Sequence, residues 1–265
     1  MRYGMIAALL LGVAAAPALA EERDFCPERP GLDTPPCIVD KGRLQAELGL
    51  ADWTLDRQPD SRTDEIDAGQ IQLRYGVTDS TELRFGWTAY GHVRVRDRAT
   101  GAVDRMSGTG DVTLGVKQSL LDPGGDKLSI ALLPTVSLPS GGQAIGAGDW
   151  GASLALPASY PLSDIFQLEL TPEVDAAVDA DRSGRHLAYS VAGGLGAKLS
   201  KAWSVTGELQ TSHDDDPSGH RSEHRAAFSA AYQFGKDFQI DAAAIAGLDH
   251  QTPDVEAYFG ISHRF

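Results

Sequence analysis

Residues 213–224, HDDDPSGHRSEH, crowd three histidines and four carboxylates into twelve positions. Imidazole and carboxylate are ligands of borderline transition metals such as zinc, so the stretch is a candidate metal site. Asp214, Asp216, Ser218 and Gly219 also imitate the opening of a calcium loop, whose twelfth position must be a bidentate glutamate. Arg225 stands there, so the calcium reading fails. The reading adopted is a solvated acidic loop, with a His/Asp transition-metal site as its alternative. No metal or cofactor is assigned.

Hydrolysis would need a nucleophile, a base and an orienting group within hydrogen-bond reach. His92, His186, His213, His220, His224 and His250 fall in or beside polar connections, and His263 takes an apolar-face position near the C-terminus. There is no GxSxG and no asparagine, so no catalytic residue is assigned. Cys26 and Cys37 are the only cysteines and flank the proline-rich DFCPERPGLDTPPC. In an exported chain they are expected to form a disulfide, since no second pair exists to complete a metal site.

The elements that carry these residues repeat with a period of two. In GQIQLRYGV, Ile71, Leu73, Tyr75 and Val77 oppose Gln70, Gln72 and Arg74; in TELRFGWTAY, Leu83, Phe85, Trp87 and Ala89 oppose Glu82, Arg84, Thr88 and Tyr90. The chain ends the same way, with Val255, Ala257, Phe259, Ile261 and Phe265 on one parity. That is a strand with one apolar and one polar face. Short connections at 76–80, 121–127, 161–164, 199–202 and 234–237 alternate with long polar ones at 54–65, 93–108, 139–148, 177–185, 212–224 and 247–254. Twelve strands follow. Such segregation of turns and loops belongs to a transmembrane antiparallel up-and-down β-barrel, whose tilted strands need roughly 9–11 residues to cross. Pro134, Pro157 and Pro172 fall inside expected strands, where bulges or shifted boundaries must absorb them.

The N-terminal MRYGMIAALLLGVAAAPALA has one positive charge, an apolar run and a small-x-small exit, so residues 1–20 read as a signal peptide. Residues 21–42 are expected to be a periplasmic N-terminal segment and 43–265 the barrel, in a Gram-negative outer membrane. The alternation leading to Phe265 marks Phe259, Ile261 and Phe265 as an insertion signal for the barrel-assembly machinery. A balance of 23 basic against 37 acidic residues, net −14, argues against nucleic acid as a partner.

Inward parity collects Arg43 and Glu47 with Arg74, Glu82, Arg84, Asp111, Lys117, Glu169, Glu173, Asp175, Lys198, Glu208, Asp241, Glu256 and Arg264. Charges facing a dry core would be prohibitive unless paired, so the lumen holds water or an ion-pair ladder. Asp111 and Lys117 are expected in one such network.

GTGDVTLGVKQSLL (Gly108, Gly110, Asp111, Gly115, Lys117) and ALLPTVSLPSG (Pro134, Pro139, Gly141) resemble the family named for the MetA pathway of phenol degradation. The resemblance implies an outer-membrane barrel transporter, linked by name to aromatic compounds, and brings no site residues. The expected function is passive passage of small solutes, with membrane lipid and a small-molecule solute as partners. A closed structural or binding barrel with functional loops, or a barrel lipase, are the alternatives.

Overall fold

The computed structural model describes residues 22–265; the expected signal peptide, residues 1–20, lies outside the described residues. Fourteen strands follow in order: β1 (Leu44–Arg57), β2 (Ser61–Gly76), β3 (Thr81–Asp97), β4 (Val103–Gly108), β5 (Val112–Leu121), β6 (Ser129–Leu138), β7 (Gly151–Ala155), β8 (Ala158–Pro161), β9 (Phe166–Val178), β10 (Arg185–Lys198), β11 (Trp203–Asp214), β12 (Arg221–Phe234), β13 (Phe238–Gly247) and β14 (Val255–Arg264). β4 pairs with one half of β3 and β5 with the other, so the two form a single wall strand. β7 and β8 share one place between β6 and β9 in the same way. The result is a closed antiparallel barrel of twelve wall strands, with β14 against β1. Closure through β14 and β1 removes the open sheet edges, and among the described residues only the short β4 keeps one side without a strand partner.

The burial pattern is inverted relative to a soluble domain. Leu209 and Phe228 on the outside are 62% and 60% exposed, while Arg74, Glu82 and Lys117 on the inside are 0% exposed. Only hydrocarbon makes such an outer face favourable. Around the short-turn rim the outward rings of Trp203, Tyr232, Phe234, Phe238, His263 and Phe265 follow one another at centroid distances of 4.3–6.0 Å. Such a belt of aromatic rings suits a membrane–water interface. Phe259 and Ile261 also face outward, and the Phe265 amide donates to the Leu44 carbonyl at 2.8 Å, fastening the terminus to β1.

All five short turns lie where the alternation places them. Three of the expected long loops do not. Within 54–65, 93–108 and 212–224 only residues 58–60, 98–102 and 215–220 lie outside strands. The strands continue past the length a bilayer requires as charged, paired ribbons, where Arg62 and Arg94 both reach Asp64, at 2.7 and 3.3 Å. Polar sequence marked these stretches as loops, yet ladder pairing is independent of side-chain polarity.

The three strand prolines gather in one patch of wall. The β5–β6 register skips Leu133 and Pro134, so the missing N–H of Pro134 faces a gap in the ladder. Pro157 is the break between β7 and β8, and its carbonyl accepts from Ala131 N at 2.9 Å. Pro172 pairs with Val191 on β10, while on its other side the ladder jumps from Glu173 to Leu170. Each proline thus turns its donorless side to a discontinuity.

Two backbone features reverse strand parity. Gly69 sits at φ +68°, in the left-handed region that favours glycine, so the face of β2 beyond it is opposite to that of Gln70, Gln72 and Arg74. In β3 the reversal comes after Thr88. Tyr90, expected inside, is 48% exposed, and Gly91 and Val93 take the buried face.

Candidate functional site

The lumen is occupied by the chain's own N-terminal segment. Residues 22–42 touch inward side chains from eight strands around the wall, which a short segment can do only from inside. Cys26 and Cys37 are disulfide-bonded, with Cα atoms 6.5 Å apart, and close this segment into a loop. Four prolines in it, Pro27, Pro30, Pro35 and Pro36, reduce the number of N–H groups that burial would strand.

The remaining donors and acceptors are met by the wall. Glu47 accepts from the amides of Glu28 (3.0 Å) and Arg29 (2.9 Å). Glu208 accepts from Leu32 N (2.8 Å) and Asp33 N (2.9 Å). Gly31 N donates to the Tyr258 hydroxyl at 2.7 Å, Thr34 N to the Thr171 hydroxyl at 3.1 Å, and Val39 N to Glu82 at 2.8 Å. In return Arg74 donates to the carbonyls of Cys26 (2.8 Å) and Cys37 (3.0 Å), and Lys117 to that of Pro35 (2.9 Å).

Charge balance holds the arrangement. Arg74 is bidentate to Glu82, at 2.8 and 3.0 Å, and lies 3.3 Å from Glu47. Glu28, two residues past Cys26, pairs with Arg84 and Lys117 and lies 3.5 Å from Arg74. Three bases meet three acids, and only Glu28 comes from the segment. Buried charge is tolerated where pairing and hydrogen bonds are this complete. Arg29 pairs with Asp241 at 3.3 Å, and at the short-turn end Arg264 binds Asp237 at 2.8 Å and the Arg23 carbonyl at 2.8 Å.

A second carboxyl group of the segment is held differently. Asp33 is hydrogen-bonded to Glu208, and burial with Glu169 and Glu208 beside it pushes its carboxyl up to about 9. Among the described residues Asp33 Oδ2 and Glu208 Oε2 have no hydrogen-bond partner, a lack that a proton on Asp33 would relieve.

Cavities lie on both sides of the segment. One of about 570 Å³ opens toward the short turns and is lined by Asp33, Glu169, Lys198, Gln239 and Arg264 among others. The other, about 310 Å³, faces the long loops between Glu28, Arg29, Gln70, Gln72, Arg84 and Thr88. Beyond it Glu256 stands among Asp52, Glu65 and Asp67, with Asp175 beside Glu173, so this vestibule is acidic.

The loop at 139–150 folds against the inner wall and narrows that vestibule. Asp111 accepts from Gly141 N and Ala147 N, both at 2.7 Å, and Gly142 N donates to the Thr109 carbonyl at 2.8 Å. A Cβ on Gly91 would collide with Ile145, and one on Gly141 would come within 2.8 Å of the backbone of Gly110 and Thr109. The glycines of the two sequence motifs therefore serve each other: GTGD and LPSG pack face to face.

The expectation that Asp111 and Lys117 share a network is corrected here. Lys117 joins Glu28 and Glu82, whereas Asp111 caps loop amides. Arg43 is also not interior; its side chain is 46% exposed and pairs with Glu22 at the rim. Glu28, Arg29 and Asp33 were missed because parity says nothing about a segment without strands. Asp52, Glu65 and Asp67 were missed because of the parity reversal at Gly69 and a register shift between Gly49 and Ala51.

No curated protein sequence matches the chain. Among solved structures, the crystal structure of an outer membrane channel from Pseudomonas putida F1 is similar with TM-score 0.71 and 14% identity, over 89% of this chain and 99% of that one. The NanC porin is similar with TM-score 0.51 and 9% identity over 83% and 98%, and the KdgM porin with 0.50 and 10% over 83% and 99%. These likenesses concern the fold. A family model described as "Putative MetA-pathway of phenol degradation" matches residues 28–265, so its match takes in Glu28 and the lumen segment as well as the wall, and the chain belongs to that family.

Proposed function

We propose that the protein is an outer-membrane channel for passive passage of small solutes, gated by its N-terminal segment. The observation that carries this is a closed barrel with an apolar outside and a charged inside, whose two cavities are separated by the N-terminal segment. The wall needs no segment for its own hydrogen bonds, so a lumen filled by ion-paired side chains implies a seat that can be vacated. The family's description, a pathway of phenol degradation, supports aromatic compounds as the solute class, and the likeness to a channel and to porins supports passage. The acidic vestibule would concentrate cations and favour neutral or cationic solutes over anions. The short turns and both chain termini would face the periplasm, after export directed by residues 1–20. Phe259, Ile261 and Phe265 on the closing strand would engage the barrel-assembly machinery.

The test is single-channel conductance of the refolded barrel in a planar lipid bilayer under a KCl gradient. Small, discrete, cation-preferring steps are expected, larger when residues 22–37 are deleted. Silence from both the full chain and the deletion, each proven folded, would overturn the channel reading. The barrel would then be a closed one whose extended outer hairpins do the work.

A further inference from the structure

The connection between β9 and β10 and that between β11 and β12 meet at the long-loop rim around one ring, His186. Its side chain is 5% exposed. Asp179 Oδ1 lies 2.9 Å from Nδ1 and Asp216 Oδ2 3.5 Å from it, while Asp214 Oδ1 lies 2.8 Å from Nε2. Among the described residues Nε2 is nonetheless a buried nitrogen without hydrogen-bond geometry to any partner. Three carboxylates thus enclose one imidazole. A neutral ring has one N–H, so whichever nitrogen carries it, the other turns a lone pair toward carboxylate oxygens. A protonated ring would still leave two negative charges in excess. Neighbouring arginines do not supply them: Arg185 pairs with Asp149 and Arg221 with Glu223.

From this we infer a binding site for one divalent transition metal ion, with zinc as the best fit, held by Asp179, His186 Nδ1 and Asp216. The ligand atoms lie within 4.8 Å of one another. A tetrahedral ion with bonds of about 2.0–2.1 Å needs ligand separations of about 3.3 Å, and the two distances from His186 Nδ1 to the carboxylates, 2.9 and 3.5 Å, lie within a few tenths of an ångström of that. The carboxylates are already aimed. Asp216 is oriented by the amides of Ser218 and Ala180, each at 2.7 Å. Gly184, at φ +97°, leaves room for Asp179 that a Cβ would take. Asp214, 2.8 Å from Nε2, is the carboxylate that a small turn of the ring or carboxyl would bring into line as acceptor for the second nitrogen of a metal-bound imidazole. An imidazole in the set selects against calcium and magnesium, which take oxygen ligands. Bound there, the ion would staple two outer hairpins whose connections otherwise share few bonds. His213 and His220, which lie against Asp215 at 3.1 Å each, take no part.

Calorimetric titration of Zn²⁺ into the untagged, refolded full-length barrel tests this. One saturable site is expected, weakened at least tenfold in His186→Ala and Asp216→Asn and unchanged in the His213→Ala/His220→Ala double variant. Zinc-edge X-ray absorption of the wild-type 1:1 complex does not depend on a variant folding, and should show a single imidazole with oxygen neighbours. No binding by the wild type, two imidazoles in the shell, or loss of the site in the His213/His220 variant would each overturn the assignment.

Discussion

Replacing Glu28 by alanine should unseat the N-terminal segment from a barrel that stays folded. Glu28 is the segment's sole contribution to a six-charge cluster, and its removal leaves Arg84 and Lys117 short of a counter-charge in a buried place. Breaking one partner of a buried pair costs about 3–5 kcal/mol. Water in the cavity beside Glu28 can solvate part of the excess charge, so the lower figure applies, about 3 kcal/mol. At 1.4 kcal/mol per factor of ten, the ratio of seated to unseated segment should fall by about 100-fold. Amide hydrogen exchange reads that ratio directly, because the amides of Glu28, Arg29, Leu32 and Asp33 are protected only by wall carboxylates. Exchange over 28–33 should accelerate by about that factor while strand amides remain protected, and open probability in bilayers should rise with it. Unchanged exchange at 28–33 in a folded Glu28→Ala barrel would refute the claim that this cluster holds the plug.

Three further outcomes follow from the same geometry. Cys26→Ser/Cys37→Ser should raise the segment's exchange by relaxing a loop whose closure contributes about 3 kcal/mol, yet leave the heat-stable barrel band on gels intact, since the disulfide lies off the wall. Asp33 carries a raised value, so seating should weaken as pH climbs through about 9. The sign follows from a group that is protonated when seated and ionised when free; stability is full below the ordinary carboxylate range and declines above it. Open probability should rise from pH 7 to 10 in the wild type and stay flat in Asp33→Asn. Asp111→Ala strips two amides of their acceptor and should loosen the 139–150 loop by about 2 kcal/mol, seen as faster exchange over 139–148 and a wider outer vestibule in conductance.

Much of this protein is legible in its sequence because a membrane barrel obeys local rules. Side chains alternate every residue, lipid admits only the apolar parity, and a short turn is compatible only with a hairpin. Those three facts yield twelve strands, the five turns and the inner face of Arg74, Glu82, Lys117 and Glu208 without any long-range knowledge. The same alternation places Phe259, Ile261 and Phe265 outside. Local rules fail where the backbone leaves the ladder. One left-handed glycine, Gly69, turns Glu65 and Asp67 inward against the count, and pairing carries charged ribbons through 54–65 and 93–108 that polarity alone marks as loops. What only the tertiary structure decides is which charges meet. Glu28 reaches Arg84 and Lys117 across gaps of 56 and 89 residues, and Asp111 finds loop amides instead of Lys117. Parity states which way a side chain points, but a partner across the lumen is set by barrel closure, which no residue senses along its own strand.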